Sequence, residues 1–165
     1  MTRRQKNSPI NNPEAAMERN EAFTLLEVMV ALAIGLLLAV LAYSSYANYI
    51  VKARRVEAQV ALLQSMQDQE RYYTHHNTYL AFSAASDDED AKRFPWWLGS
   101  SAPRSAYELS GRACDKLPLQ ACIELRAEPG TPRVDVNFRD ADCETLTLDS
   151  TGKQGAGGKQ RGCWP

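Results

Sequence analysis

Residues 23–51 read FTLLEVMVALAIGLLLAVLAYSSYANYIV. From Val28 to Val51 there are 24 positions without a charge, and an apolar run of that length is long enough to cross a bilayer as an α-helix. The flanks are polar. Met1–Ala22 carries Arg3, Arg4, Lys6 and Arg19 with Pro9 and Pro13 and has no apolar face to bury, so it reads as a leader; Lys52, Arg54 and Arg55 come directly after the run. Over all 165 residues the formal charge is -1 and the mean hydropathy is -0.42, an average that conceals one apolar segment in an otherwise polar chain. Beyond the helical region about 90 residues remain, enough for one small domain, which excludes a large multidomain enzyme. The near-neutral balance also argues against a protein built wholly around nucleic acid.

Glu27 breaks the apolar run one turn in. A carboxylate in a spanning helix costs on the order of 2.5–3.5 kcal/mol near the helix centre, so something should compensate it. Cleavage between Ala22 and Phe23 would create an amine one turn from Glu27, and the amine of a neighbouring copy could pair with it equally well. Cleavage after the run fits poorly, because no well-formed small-x-small site lies there.

No Pro or Gly separates the run from the polar stretch beginning at Lys52, so one helix from about Phe23 to Tyr73, roughly 75 Å long, is predicted. Its second half is amphipathic, with Val56, Val60, Leu63, Met66 and Tyr73 recurring at helical spacing as the expected buried face. Tyr72, Tyr73, Tyr79 and Phe82 read as core aromatics. Ala81–Ser105 reads as a long loop with an acidic run, Asp87–Asp90, and the pair Trp96–Trp97. From Tyr107 the period becomes two: Tyr107–Leu109, Cys122–Leu125, Val134–Phe138 and Leu146–Leu148 read as strands between turn signals. The fold class is α+β. A long N-terminal helix, apolar and transmembrane in its first half and amphipathic in its second, packs on an antiparallel sheet of three or four strands with a C-terminal disulfide-bracketed loop. The boundaries are a removed leader over 1–22, the transmembrane helix over 23–51, the amphipathic helix over 52–80, the helix-to-sheet loop over 81–105, and the sheet with its bracketed region over 106–165.

Cys114, Cys122, Cys143 and Cys163 include no C-x-x-C pair, which disfavours zinc. An even count beyond a membrane segment reads as two disulfides in an oxidising compartment, which places the C-terminal domain outside the cytoplasm. Three pairings exist; joining nearest neighbours, Cys114 with Cys122 and Cys143 with Cys163, is the one expected. His75 and His76 are adjacent and cannot chelate as an i,i+4 pair, the acidic run lacks the spacing of a calcium loop, and no nucleophile–base set or phosphate loop assembles. No catalytic residue, metal or cofactor is expected.

The string Ala22-Phe23-Thr24-Leu25-Leu26-Glu27-Val28 resembles the class III signal of type IV prepilins. Arg54–Gln59, Gln69–Tyr73, Asn77–Tyr79 and the stretch from Leu146 through Gly152 to Cys163-Trp164 resemble the PilE-like minor pilins of Gram-negative bacteria. Two departures stand out: Ala22 where the family usually has Gly, and Ser44-Ser45 where many members have Pro. The resemblance implies cutting by a prepilin peptidase, N-methylation of Phe23 and a role for Glu27 in assembly. It also implies residence in inner-membrane lipid with the C-terminal domain periplasmic, then transfer by the inner-membrane assembly machinery into a helical filament of pilins. Twitching motility, adhesion and DNA uptake are the activities such a pilus supports. A second reading is a DNA-binding pilin, in which Lys153, Lys159 and Arg161, within the Cys143–Cys163 bracket, meet phosphate. A type II secretion pseudopilin is the third.

Overall fold

The computed structural model describes residues 24–165. The leader and Phe23, and so the expected cut, lie outside the described residues, as do the side chains of residues 41–45. Helix α1 runs from Leu25 to His76. Its start is chemically marked: the Thr24 hydroxyl accepts from the Glu27 backbone N–H at 3.2 Å, and Glu27 puts an acidic group in the first turn. At the other end Asn77 takes a positive φ of 54° while its N–H reaches the Tyr73 carbonyl at 2.8 Å, closing the helix with a left-handed residue.

The chain divides into two compact units, one ending at Ala42 and one from Tyr43 to Pro165. In the first, Leu25, Leu26, Leu32, Leu36 and Val40 are all exposed. Among the described residues no helix is long and apolar enough to cross a membrane; the described side chains of the apolar run are interrupted over 41–45 and resume at Tyr46.

The second unit holds the sheet. Strands β1 (Tyr107–Ala113), β2 (Ile123–Pro129), β3 (Leu146–Asp149) and β4 (Gln154–Ala156) are antiparallel in the order β1-β2-β3-β4. The register places Leu109 opposite Ala127 and Leu125 opposite Leu148. Strand alternation then sends Tyr107, Leu109, Ile123, Leu125, Ala127, Leu146 and Leu148 into one core with Ala58 and Leu62 of α1. Burying each of the larger aliphatic side chains stabilises the fold by about 1.5–3 kcal/mol.

Two expectations are corrected. The buried face of α1 follows the Val56 stripe only at its end: Met66 and Tyr73 pack against the core, but Val56, Val60 and Leu63 are exposed, while Arg55, Ala58, Gln59, Leu62, Ser65 and Gln69 are buried. Both sets have helical spacing, and the polar set goes inside because its groups find partners there. Gln69, for example, both donates to and accepts from the backbone of Leu80, at 2.7 and 2.9 Å.

Second, Val134–Phe138 is not a strand. It is two successive turns, in which Val134 N–H donates to the Thr131 carbonyl and Phe138 N–H to the Asp135 carbonyl, while the Asp135 carboxylate accepts from Asn137 N–H. Pro132 and the Asp135 turn imitate a period of two. The fourth strand is instead β4, inside the glycine-rich segment read as loop. The long segment before the sheet is a loop, as expected, but it is tied down. It contains short 3-10 turns at Ala91–Arg93 and Ala102–Arg104, and Phe82 and Trp97 bridge to Gly111 and Glu108 of β1. It thereby covers what would otherwise be an open sheet edge.

Candidate functional site

The C-terminal bracket is assembled from α1 outward. Arg55 and Gln59 stand four residues apart on the buried face of α1 and hold opposite ends of the bracket. Arg55 grips Asp140 with two hydrogen bonds, Nε to Oδ2 at 2.8 Å and Nη2 to Oδ1 at 2.7 Å. Asp140 also accepts from the Tyr107 hydroxyl at 2.6 Å and from the Cys143 backbone N–H at 3.2 Å. Gln59 Nε2 donates to the Cys163 carbonyl at 2.6 Å. Cys143 is bonded to Cys163, with Cα atoms 5.6 Å apart, and Cys114 to Cys122, with Cα atoms 5.4 Å apart.

Burial alone would raise the Asp140 pKa, but the Arg55 hydrogen bonds, the Tyr107 hydroxyl and the Cys143 amide outweigh it and hold the carboxyl below its ordinary range. Arg55 is raised by its hydrogen bonds to Asp140, and Tyr107 is raised by burial and by donating to Asp140. At neutral pH the triad is therefore a carboxylate between a guanidinium and a neutral phenol.

Within the bracket the chain passes close to its own beginning. Gly158 N–H donates to the Cys143 carbonyl at 2.9 Å and Gln160 N–H to the Asp142 carbonyl at 3.3 Å. A Cβ on Gly158 would overlap the Asp142 carbonyl, so only glycine fits. Trp164 Nε1 donates to the Gly155 carbonyl at 2.8 Å, pinning β4 from its outer edge.

The three candidate cations are exposed, but they do not share one loop. Lys153 ends the β3–β4 turn, where its N–H donates to the Asp149 carboxylate at 3.0 Å. Lys159 and Arg161 lie beyond β4, beside Asp142 and Cys143, with about 10 Å of strand between them and Lys153 at 3.3 Å per residue. Among the described residues none of the three stands in an ion pair. By contrast, Arg112 and Arg126 on the outer face of the sheet pair with Glu124 and Glu128, and Arg133 pairs with Glu108. A shallow cleft of about 370 Å³ is lined by Glu124 and Asp149 as well as by Arg126, Thr147, Lys153 and Gly155. The sheet cations are thus neutralised by neighbouring carboxylates, whereas the bracket cations make no ion pair, although Lys153 stands beside the Asp149 carboxylate.

The remaining candidates do not form a site. The Asp149 carboxylate lies near the Cys114 and Cys122 sulfurs, which are oxidised and offer no thiolate. The Asp149 carboxyl is held below its ordinary range, burial being outweighed by hydrogen bonds from the Thr151 hydroxyl and the Lys153 and Thr151 amides. The His76 ring stacks on Tyr72 at 3.9 Å, whereas the His75 and His76 rings are 6.5 Å apart. Trp96 and Trp97 meet edge to face at 4.8 Å and line a cleft of about 460 Å³ with Lys92 and Arg93. Each of these cations is already paired, with Glu89 and Asp90 respectively. Sequence reasoning missed Arg55, Gln59, Tyr107 and Asp140. Arg55 and Asp140 are 85 residues apart, and no local pattern connects them.

Two family matches cover most of the chain. Residues 44–147 match the family described as "Type IV minor pilin ComP, DNA uptake sequence receptor", and residues 17–43 match the prokaryotic N-terminal methylation motif. The first match ends at Thr147, before the three bracket cations. Among solved structures the chain is similar to a type IV pilin from Shewanella oneidensis, with 26% identity over 70% of this chain and 98% of that one and a TM-score of 0.44. No curated protein matches significantly.

Proposed function

The chain belongs to the type IV minor pilin family described by ComP, and from that premise we propose how its parts serve a pilus and what its head binds. As a minor pilin with an N-terminal methylation motif, it is a prepilin peptidase substrate that assembles with other pilins. The proposed cut falls between Ala22 and Phe23, and the new Phe23 amine is methylated. The uncharged run Val28–Val51, about 36 Å as a helix, anchors the chain once across the inner membrane. Two disulfides favour a periplasmic head. In the filament, Glu27 pairs with a neighbour's amine and sets axial register. The role is structural and non-enzymatic. The methylation motif abutting this apolar run carries the reading, and mass spectrometry of sheared pili tests it: the chain should be present with a Phe23 terminus.

A second activity has its own support. The family is described by a DNA uptake sequence receptor, and this head displays three unpaired cations on a disulfide-held bracket. The proposal is that the head captures duplex DNA during uptake, with Lys153, Lys159 and Arg161 on phosphates. Binding by the detergent-solubilised chain should then fall steeply with salt. Replacing all three by Ala should reduce the log–log salt slope by up to about 2.7, or about 0.9 per phosphate contact. A triple variant with the wild-type slope would remove these residues from the site.

A further inference from the structure

The acids and amides that hold the bracket to α1 do more than complete a core. We propose that Gln59, with Arg55, is a positioning residue for the DNA-contacting bracket, so that helix α1 sets where Lys159 and Arg161 stand; this rests on the DNA reading above. The bracket has two ends, and α1 holds each by a different chemistry. At the Cys143 end the link is ionic and indirect: Arg55 fixes Asp140, which in turn accepts the Cys143 N–H. At the Cys163 end it is one neutral bond, from Gln59 Nε2 to the Cys163 carbonyl at 2.6 Å. The disulfide joins the two ends to each other, but it leaves their joint position against the helix undetermined.

Between these anchors the cations are held only by backbone. Gly158 and Gln160, which flank Lys159, donate to Cys143 and Asp142, and Arg161 lies two residues before Cys163. Releasing Gln59 removes the one bond from α1 to the Cys163 end, which then keeps only the disulfide to Cys143 and the Trp164 Nε1 bond to the Gly155 carbonyl, and so loosens the segment carrying Lys159 and Arg161 against the helix. Lys153, fixed by the Asp149 turn, should not move. The inference therefore separates the three cations: two depend on Gln59 and one does not.

Gln59→Met keeps the side-chain length but cannot donate. Gln69→Met is the control, since it removes a still more deeply buried amide whose partner, Leu80, is far from the bracket in sequence and bonding. Both variants should lose stability, so stability alone decides nothing. In the full chain in detergent, hydrogen exchange at Gly158 and Gln160 should quicken roughly five- to tenfold in Gln59→Met only, the effect of losing one buried hydrogen bond. On a short DNA duplex, the same variant should lose up to about 1.8 from the log–log salt slope, the share of two phosphate contacts at 0.9 each. Gln69→Met should keep both wild-type values.

Unchanged bracket exchange in Gln59→Met would overturn the inference, as would equal loosening in both variants. A loosened bracket with an unchanged salt slope would overturn the positioning role while leaving DNA binding intact. Loosening in Gln59→Met alone, in a wild-type chain that does not bind DNA, would sink the DNA reading and uphold the anchor.

Discussion

Replacing Asp140 by Asn tests the polar heart of the head. The side chain keeps its shape, and the amide oxygen can still accept from Tyr107 or Cys143. The charge facing Arg55 is lost, however, and Arg55 is only 7% exposed. Breaking a buried ion pair from one side typically costs 3–5 kcal/mol, because the remaining charge is left without its partner. Asp142 offsets part of this: its carboxylate is 3.5 Å from Arg55 Nη2 but half exposed, so it contributes at most about 1 kcal/mol. The expected loss is about 2–4 kcal/mol. Trp96, Trp97 and Trp164 all lie in the head, so tryptophan emission during urea unfolding of the detergent-solubilised chain reads this unit without interference from the apolar helix.

A double variant, Arg55→Met with Asp140→Leu, should cost less than the sum of its single changes, since neither charge is then stranded. The pH dependence has a definite sign. The folded Asp140 carboxyl is held below its ordinary value of 3.8, so its contribution is present above that pH and is lost as pH falls through the lower folded value. The gap between wild type and Asp140→Asn should accordingly narrow on acidification below about pH 4. A loss under about 1 kcal/mol at neutral pH, or a gap that widens in acid, would refute the account of the triad.

Further outcomes are expected from the same geometry. Mass spectrometry of membrane-extracted protein should find a methylated Phe23 terminus, and an intact leader would contradict the proposed cut. Glu27→Ala should be processed and inserted but incorporated poorly into sheared filaments, whereas wild-type incorporation would remove Glu27 from assembly. Thr24→Val should cost α1 about 1 kcal/mol at its first turn through loss of the Glu27 amide cap, read as increased exchange there. Gly158→Ala should lower the urea midpoint by an amount equivalent to about 1–3 kcal/mol, because its Cβ would overlap the Asp142 carbonyl. An unchanged midpoint would show that the bracket relaxes freely.

Composition and period were enough to read the α+β class, the long helix and the sheet beyond it. A helix needs only an unbroken stretch of suitable residues, and alternation along β1, β2 and β3 is a local property of each strand. The string from Ala22 to Val28 likewise carried the family resemblance without any folded context. Local pattern failed where two patterns competed. Val56-Val60-Leu63 and Arg55-Gln59-Leu62 both have helical spacing, and only the partners Asp140 and Cys163, brought in from the far end of the chain, turn the second set inward. Val134–Phe138 alternates but is bent by an aspartate turn, while Gln154–Ala156 has no alternation and becomes a strand because β3 offers it a free edge. The three cations were visible as residues, but their separation across β4 was not. Side-chain periodicity is written in the sequence; the pairing of buried polar groups and the distance between surface charges exist only once remote segments meet.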